Sequence, residues 1–188
     1  IPDEETRATS LASGDVDAVQ SVRLSSFLAR VAELPGVRVN MGLGNGAGNV
    51  MFNTTAPPLD DVRVRQALAH AVDQQALIDV VAGEAAIATE PRTQFFWSGD
   101  PYHSEEVSEA WPAYDPERAQ ELYDEYVQDP NRSDGRSPGD PVAFTYGCTN
   151  VPSLIEQATA LQGFWSEIGF EVEIEPLEQS VHITEAFT

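Results

Sequence analysis

The stretch from Val142 to Glu175 constrains this chain more than any other part of it. Val142 to Tyr146 reads as a short strand, and Gly147-Cys148-Thr149-Asn150 as a loop. A helix is predicted from Pro152 to Ile168. Leu154, Ile155, Ala158, Leu161, Phe164, Trp165 and Ile168 form its core face, and Gly169 stops it. Phe170-Glu171-Val172-Glu173-Ile174-Glu175 then alternates without a break, which predicts a strand with one buried face and one solvated acidic face. Strand, helix and strand in one run argue for an α/β layer structure, a mixed sheet flanked by helices.

The rest of the chain fits that class. Asp115-Pro116-Glu117 supplies a cap, a proline at the first helical position and an acid in the first turn. Ala119, Leu122, Tyr123, Tyr126 and Val127 make the buried stripe of the helix that follows. Residues 61–82 predict one long helix, capped by Asp60 or Asp61 and ended by Gly83, with Val64, Ala67, Leu68, Ala71, Val72, Leu77, Ile78 and Val81 on its apolar face. A helix is also predicted over 21–34, and strands over 15–19, 37–41 and 49–53. Residues 129–141 read as a polar surface connection. Residues 85–114 lack periodicity and read as a long ordered loop rich in aromatics, and loops of that length usually serve a purpose.

Charge narrows the function classes. The chain has 188 residues, with 31 Asp plus Glu against 10 Lys plus Arg and a net charge of −21. Every basic residue is Arg. Phosphate binding needs a basic face, so nucleic acid is not an expected partner. No apolar run is long enough for a spanning helix. The single Cys148 excludes an internal disulfide and any multi-cysteine metal site. The chain begins Ile1-Pro2-Asp3 and reads as a piece of something longer.

Few motifs point to chemistry. Gly42-x-Gly44-x-x-Ala47 has dinucleotide-like spacing, but no amphipathic helix follows, so it reads as a flexible turn. His70, His103 and His182 have no metal-ligand spacing, and neither a metal nor a cofactor is expected. Asn53-Thr54-Thr55 and Asn131-Arg132-Ser133 match a glycosylation sequon. Cys148, in a loop before a helix, is where a lowered thiol pKa could build a nucleophile, so a small cysteine-dependent hydrolase is an alternative. A structural or adhesion module is a third reading, suggested by the acidity and the sequons. A ligand cleft would draw on Phe95, Phe96 and Trp97 in the aromatic loop and on Tyr146, Thr149 and Asn150 at the carboxyl edge of the sheet. The competing role for at least two of Phe95, Phe96, Trp97 and Tyr102 is to plug the core. Thr149 and Asn150 could equally cap the helix that follows.

The order of segments resembles a known family. "GDVDAVQ", "GNVMFNTTAPPLDDVRVRQALAHAVDQQALIDVVAGEA", "AYDPERAQELYDEY" and "LQGFWSEIGFEVEIEPLE" are similar to the extracellular solute-binding proteins of the peptide/nickel ABC importer class, family 5. The stretch from Asn53 to Asp73 is the most specific part, with Tyr114–Ala119 and Trp165-x-x-Ile168-Gly169 behind it. The resemblance implies a non-enzymatic receptor with a periplasmic-binding-protein-like fold, whose two lobes close on a solute and present it to ABC permease subunits. It implies an extracellular or periplasmic location, with a membrane anchor in the full-length protein. Residues 1–188 then form most of one lobe, carrying the long loop 85–114. The ligand class is an oligopeptide or a similar small solute. Residues 146–152 hold no basic side chain for a ligand carboxylate. Asp61 and Arg65, one helical turn apart, are expected to pair.

Overall fold

The computed structural model describes residues 4–20, 31–40, 48–82 and 90–187. In chain order these form α1 (Glu4–Ser13), α2 (Val62–His70), α3 (Gln74–Ala82), α4 (Glu105–Ala110), α5 (Pro116–Val127), β1 (Ala143–Thr149), α6 (Pro152–Ile168), β2 (Glu171–Leu177) and α7 (Gln179–Phe187).

β1, α6 and β2 are the strand–helix–strand unit that the sequence predicts. The strands pair in parallel, from Ala143 opposite Glu171 to Thr149 opposite Leu177. Phe144 and Tyr146 share one face of β1 because side chains alternate along a strand. Both pack on Trp165 of α6, with ring centroids 5.9 and 5.6 Å away. The indole Nε1–H of Trp165 donates to the Leu68 carbonyl at 3.1 Å, so α6 is tied to α2 through a buried bond. Gly169 ends α6 at φ 112°, a left-handed value that favours glycine. Tyr123 sits against it and donates its hydroxyl to the Gly169 carbonyl at 2.7 Å.

α5 forms as its sequence dictates. The Asp115 side chain accepts from the Arg118 N–H, Pro116 opens the first turn, and all five stripe residues from Ala119 to Val127 are buried. With Val64, Ala67, Leu68 and Ala71 of the α2 region, and Leu161, Trp165, Ile168, Phe170 and Val172, they make the main core.

Residues 61–82 are two helices, not one. Asp61 is the N-cap of α2 and accepts the Arg63 N–H at 2.8 Å. α2 ends at His70, and the Asp73 carboxylate then accepts the Ala76 N–H at 3.0 Å, starting α3 with a fresh cap. A short acid inside an apolar pattern thus broke the helix. The Asp61–Arg65 pair does not form either. Asp61 lies outside the helix, where the spacing rule no longer holds, and it binds Arg63 at 2.7 Å. Arg65 instead donates to the carbonyls of Leu59 and Asp60.

Three predicted strands fail to form. Residues 15–19 are turns and irregular chain, as are 37–40 and 49–53. Neither alternation nor a short apolar run makes a strand without a neighbour to pair with. Val50 and Phe52 pack on the main core, as the apolar run predicts, but from irregular chain. Of the helix predicted over 21–34, residues 31 and 32 are helical and 21–30 lie outside the described residues, as do Met41, the glycine turn 42–47, Gly83 and residues 85–89. α1 has no sequence prediction behind it. Its Ala8 packs with Val31, Leu11, Val19, Val37 and Val39 in a separate small cluster.

The connection 129–141 is built rather than loose. Arg132 has a fully buried side chain that binds Asp134 through both ends of its guanidinium, at 2.7 and 2.6 Å, and donates to the Asp140 carbonyl. Its guanidinium lies 5.1 Å from the ring centre of Tyr126.

Candidate solute-facing site

The candidate residues fall in two places. Tyr146 and Thr149 lie on β1 and Asn150 follows its carboxyl end, while Phe95, Phe96 and Trp97 lie in the segment between α3 and α4. Among the described residues, no hydrogen bond, ion pair or ring contact links one set to the other.

On the strand side, β1 runs three residues further than the sequence predicts and takes in Gly147, Cys148 and Thr149. Tyr146 packs against the main core, and burial holds its phenol above the usual range. Asn150 is exposed, and its N–H donates to the Leu177 carbonyl, closing the end of the two-stranded sheet. Neither Thr149 nor Asn150 caps α6; the N-cap is Val151, which makes no side-chain bond to the helix.

Cys148 does not sit in a loop. It is a buried strand residue, 6% exposed, and burial pushes its thiol up, away from the thiolate that a nucleophile needs. His182 of α7 lies over Gly147, with Nδ1 3.8 Å from where a Cβ would stand. Alternation puts Cys148 on the opposite face, so imidazole and thiol are separated by the sheet. This geometry removes the arrangement on which the hydrolase alternative rested.

On the loop side, the aromatics face outward more than inward. Phe95 is 62% exposed and Tyr102 76% exposed, while Phe96 and Trp97 are half-buried. None of the four belongs to either core cluster of the described residues, so the expected core plug does not form there. Phe96 and Tyr102 pack ring to ring at 5.6 Å. Trp97 lies against Gly99, and a Cβ on that glycine would stand 2.1 Å from the indole.

Polar side chains shape the loop, and the sequence reading missed them. Gln94 accepts the Ser104 N–H at 3.1 Å and donates to the Ser104 carbonyl and to Ser108 Oγ, both at 2.8 Å. Thr93 donates to Ser108 Oγ at 2.9 Å. Ser104 caps the six-residue α4, which the loop prediction overlooked. Serine followed by Glu105 and Glu106 was the available signal. The far end of the loop is anchored on α2, where His70 Nδ1–H donates to the Ala113 carbonyl at 2.7 Å and the Asp115 N–H to the His70 carbonyl at 2.9 Å.

A surface groove of about 570 Å³ opens beside Ala143, Thr145, Glu171 and Glu173. It lies at the amino ends of the strands. Ligands of open α/β sheets gather outside the carboxyl ends, where Thr149 and Asn150 lie. Among the described residues no helix is long and apolar enough to cross a membrane.

The sequence profile of the bacterial extracellular solute-binding proteins, family 5 (middle), matches residues 1–187. The chain belongs to this family. It is 30% identical over 194 residues to di/tripeptide-binding protein 3 of Pseudomonas aeruginosa, a match that covers 98% of this chain and 32% of that protein. It is 34% identical over 123 residues to heme-binding protein A of Haemophilus influenzae, covering 65% of this chain and 21% of that one. The chain thus spans about a third or less of these relatives. Among solved structures, the substrate-binding protein CtaP of an ABC transporter from Listeria monocytogenes superimposes with a TM-score of 0.75 at 22% identity, over 96% of this chain and 34% of that one. The oligopeptide-binding protein OppA does so with a TM-score of 0.64 at 26% identity, over 96% and 31%. The α/β fold of this family member is therefore that of periplasmic binding proteins.

Proposed function

We propose that this family 5 chain is part of the solute-capturing component of an ABC importer, which takes up an oligopeptide or a similar small solute outside the cell and hands it to permease subunits in the membrane. The observation that carries this reading is the family match, which runs over residues 1–187. The peptide class is supported by the names of relatives such as the dipeptide-binding protein of Escherichia coli. An extracellular or periplasmic site of action, with a membrane anchor in the full-length protein, belongs to the same proposal.

In this reading the chain supplies most of one lobe. The second lobe comes from the rest of the protein, and closure of the two buries the solute. Affinity is then the intrinsic affinity reduced by the cost of closing. Phe95, Phe96 and Trp97 offer apolar contact, and Thr149 and Asn150 offer neutral hydrogen-bonding groups. Tyr146 stands behind them, packed on Trp165. The chain binds and releases its cargo without transforming it.

Mass spectrometry of the solute carried by the full-length protein, purified without denaturation, tests the proposal. A stoichiometric peptide or other small solute is expected. A protein that carries nothing and gains no thermal stability from any peptide pool overturns it.

A further inference from the structure

The polar knot of the aromatic loop admits an arrangement of protons that satisfies every member. Ser108 Oγ accepts from Thr93 at 2.9 Å and from Gln94 at 2.8 Å. A hydroxyl has two acceptor positions and one proton, so that proton points elsewhere. His103 Nε2 lies 3.4 Å from the same oxygen, which makes Nε2 the acceptor and leaves it without a proton. The other ring nitrogen, Nδ1, lies 3.3 Å from the Phe96 carbonyl. A carbonyl only accepts, so the ring proton of neutral His103 sits on Nδ1. His103 thereby joins Ser108 of α4 to the backbone that carries Phe96 and Trp97.

We propose that His103 is a proton-operated latch on the aromatic loop, closed when the ring is neutral and opened when it gains a proton. Protonation puts an N–H on Nε2, facing the O–H of Ser108. The two donors cannot share a bond, and with Thr93 and Gln94 donating from the other side, Ser108 loses the acceptor for its own proton. The charged ring has a new partner close by, since Glu105 Oε1 lies 3.6 Å from Nε2. Glu105 is the charged group facing the ring from α4. From the preceding turn, the Asp100 carbonyl takes the His103 N–H at 2.9 Å, and the Asp100 carboxylate accepts the Tyr102 N–H at 2.8 Å. On the strand of chain bearing Thr93 and Gln94, Glu90 and Arg92 pair at 3.5 Å. Turning from Ser108 to Glu105 removes the His103 link between α4 and the backbone of Phe96 and Trp97 and frees those two rings to move, while Thr93 and Gln94 stay bonded to Ser104 and Ser108. The latch depends on this local geometry alone and not on the solute-binding proposal.

Nitrogen-edited NMR of the intact protein reads both halves of the claim. At about pH 8 the His103 ring should show the Nδ1–H tautomer, and from there to about pH 5, the window in which histidine changes charge, the Trp97 amide signal should shift as the Phe96 carbonyl in the same peptide loses the ring N–H. His103→Gln should abolish that pH response while the thermal melt is kept. An Nε2–H tautomer at pH 8 overturns the latch, and so does a pH response that persists in His103→Gln.

Discussion

The core around Trp165 and the loop from Glu90 to Tyr114 are held by opposite means. In the core, aromatic rings meet at close centroid distances, such as 4.7 Å for Tyr123 with Phe170, and the few polar bonds are buried ties between elements. In the loop, serine, threonine, glutamine and histidine side chains bond the backbone to itself, while Phe95 and Tyr102 lie in solvent. Apolar burial is non-directional and large, so the core tolerates little loss. Side-chain hydrogen bonds exchange with water and add about 1 kcal/mol each, so the loop can change conformation cheaply. The difference separates a scaffold from a segment suited to meet a ligand.

Breaking the scaffold side should have the largest effect. Trp165→Ala removes the ring under Phe144 and Tyr146 and the bond to Leu68, and should cost about 3–5 kcal/mol in urea denaturation. A loss below about 1 kcal/mol would show that α6 is not part of the main core. Arg132→Ala leaves the nearly buried Asp134 carboxylate without its partner, and should cost about 3 kcal/mol by the same assay.

Asp61 tests an intermediate case. Its bonds to Arg63 hold its carboxyl below the usual carboxylate range. The folded pKa is depressed, so the stabilisation is fully present above the unfolded value, about pH 4, and is lost as pH falls toward the lowered folded value. Asp61→Asn keeps a capping oxygen but not the charge. It should cost about 0.5–1 kcal/mol at neutral pH and flatten the acid limb of stability measured by denaturation at several pH values. An unchanged acid limb would contradict the pairing.

On the loop side, Gly99→Ala should barely change global stability, within about 0.5 kcal/mol. The Cβ cannot coexist with the indole where it lies, so the emission of Trp97 should shift. A core-sized loss of stability would erase the contrast between the two regions.

The same contrast explains how much was legible beforehand. α5 could be read in full because its cap, its proline and its five-residue stripe all agree. The β1–α6–β2 unit was legible for the same reason, apart from the end of β1, where Gly147 and Thr149 read as turn residues yet pair with Glu175 and Leu177. The break at Asp73 was hidden because an acid inside an apolar pattern can either face solvent or cap, and only tertiary context decides. Residues 15–19 and 37–40 alternate like strands and 49–53 is apolar between turn residues, but among the described residues none has a paired neighbour, and partners are not visible in a local pattern. In the candidate site, the residue types of the loop were visible and their arrangement was not. The knot joins Thr93 and Gln94 to Ser104 and Ser108 across 10 to 15 residues with no periodicity to announce it.

Calorimetry with a pool of di- and tripeptides, run in parallel on the full-length protein and on residues 1–188 alone, tests the central claim most directly. The account predicts saturable one-site heat from the full-length protein and none of high affinity from residues 1–188. Tight binding by residues 1–188 alone, or no heat from the full-length protein with any peptide, would contradict it.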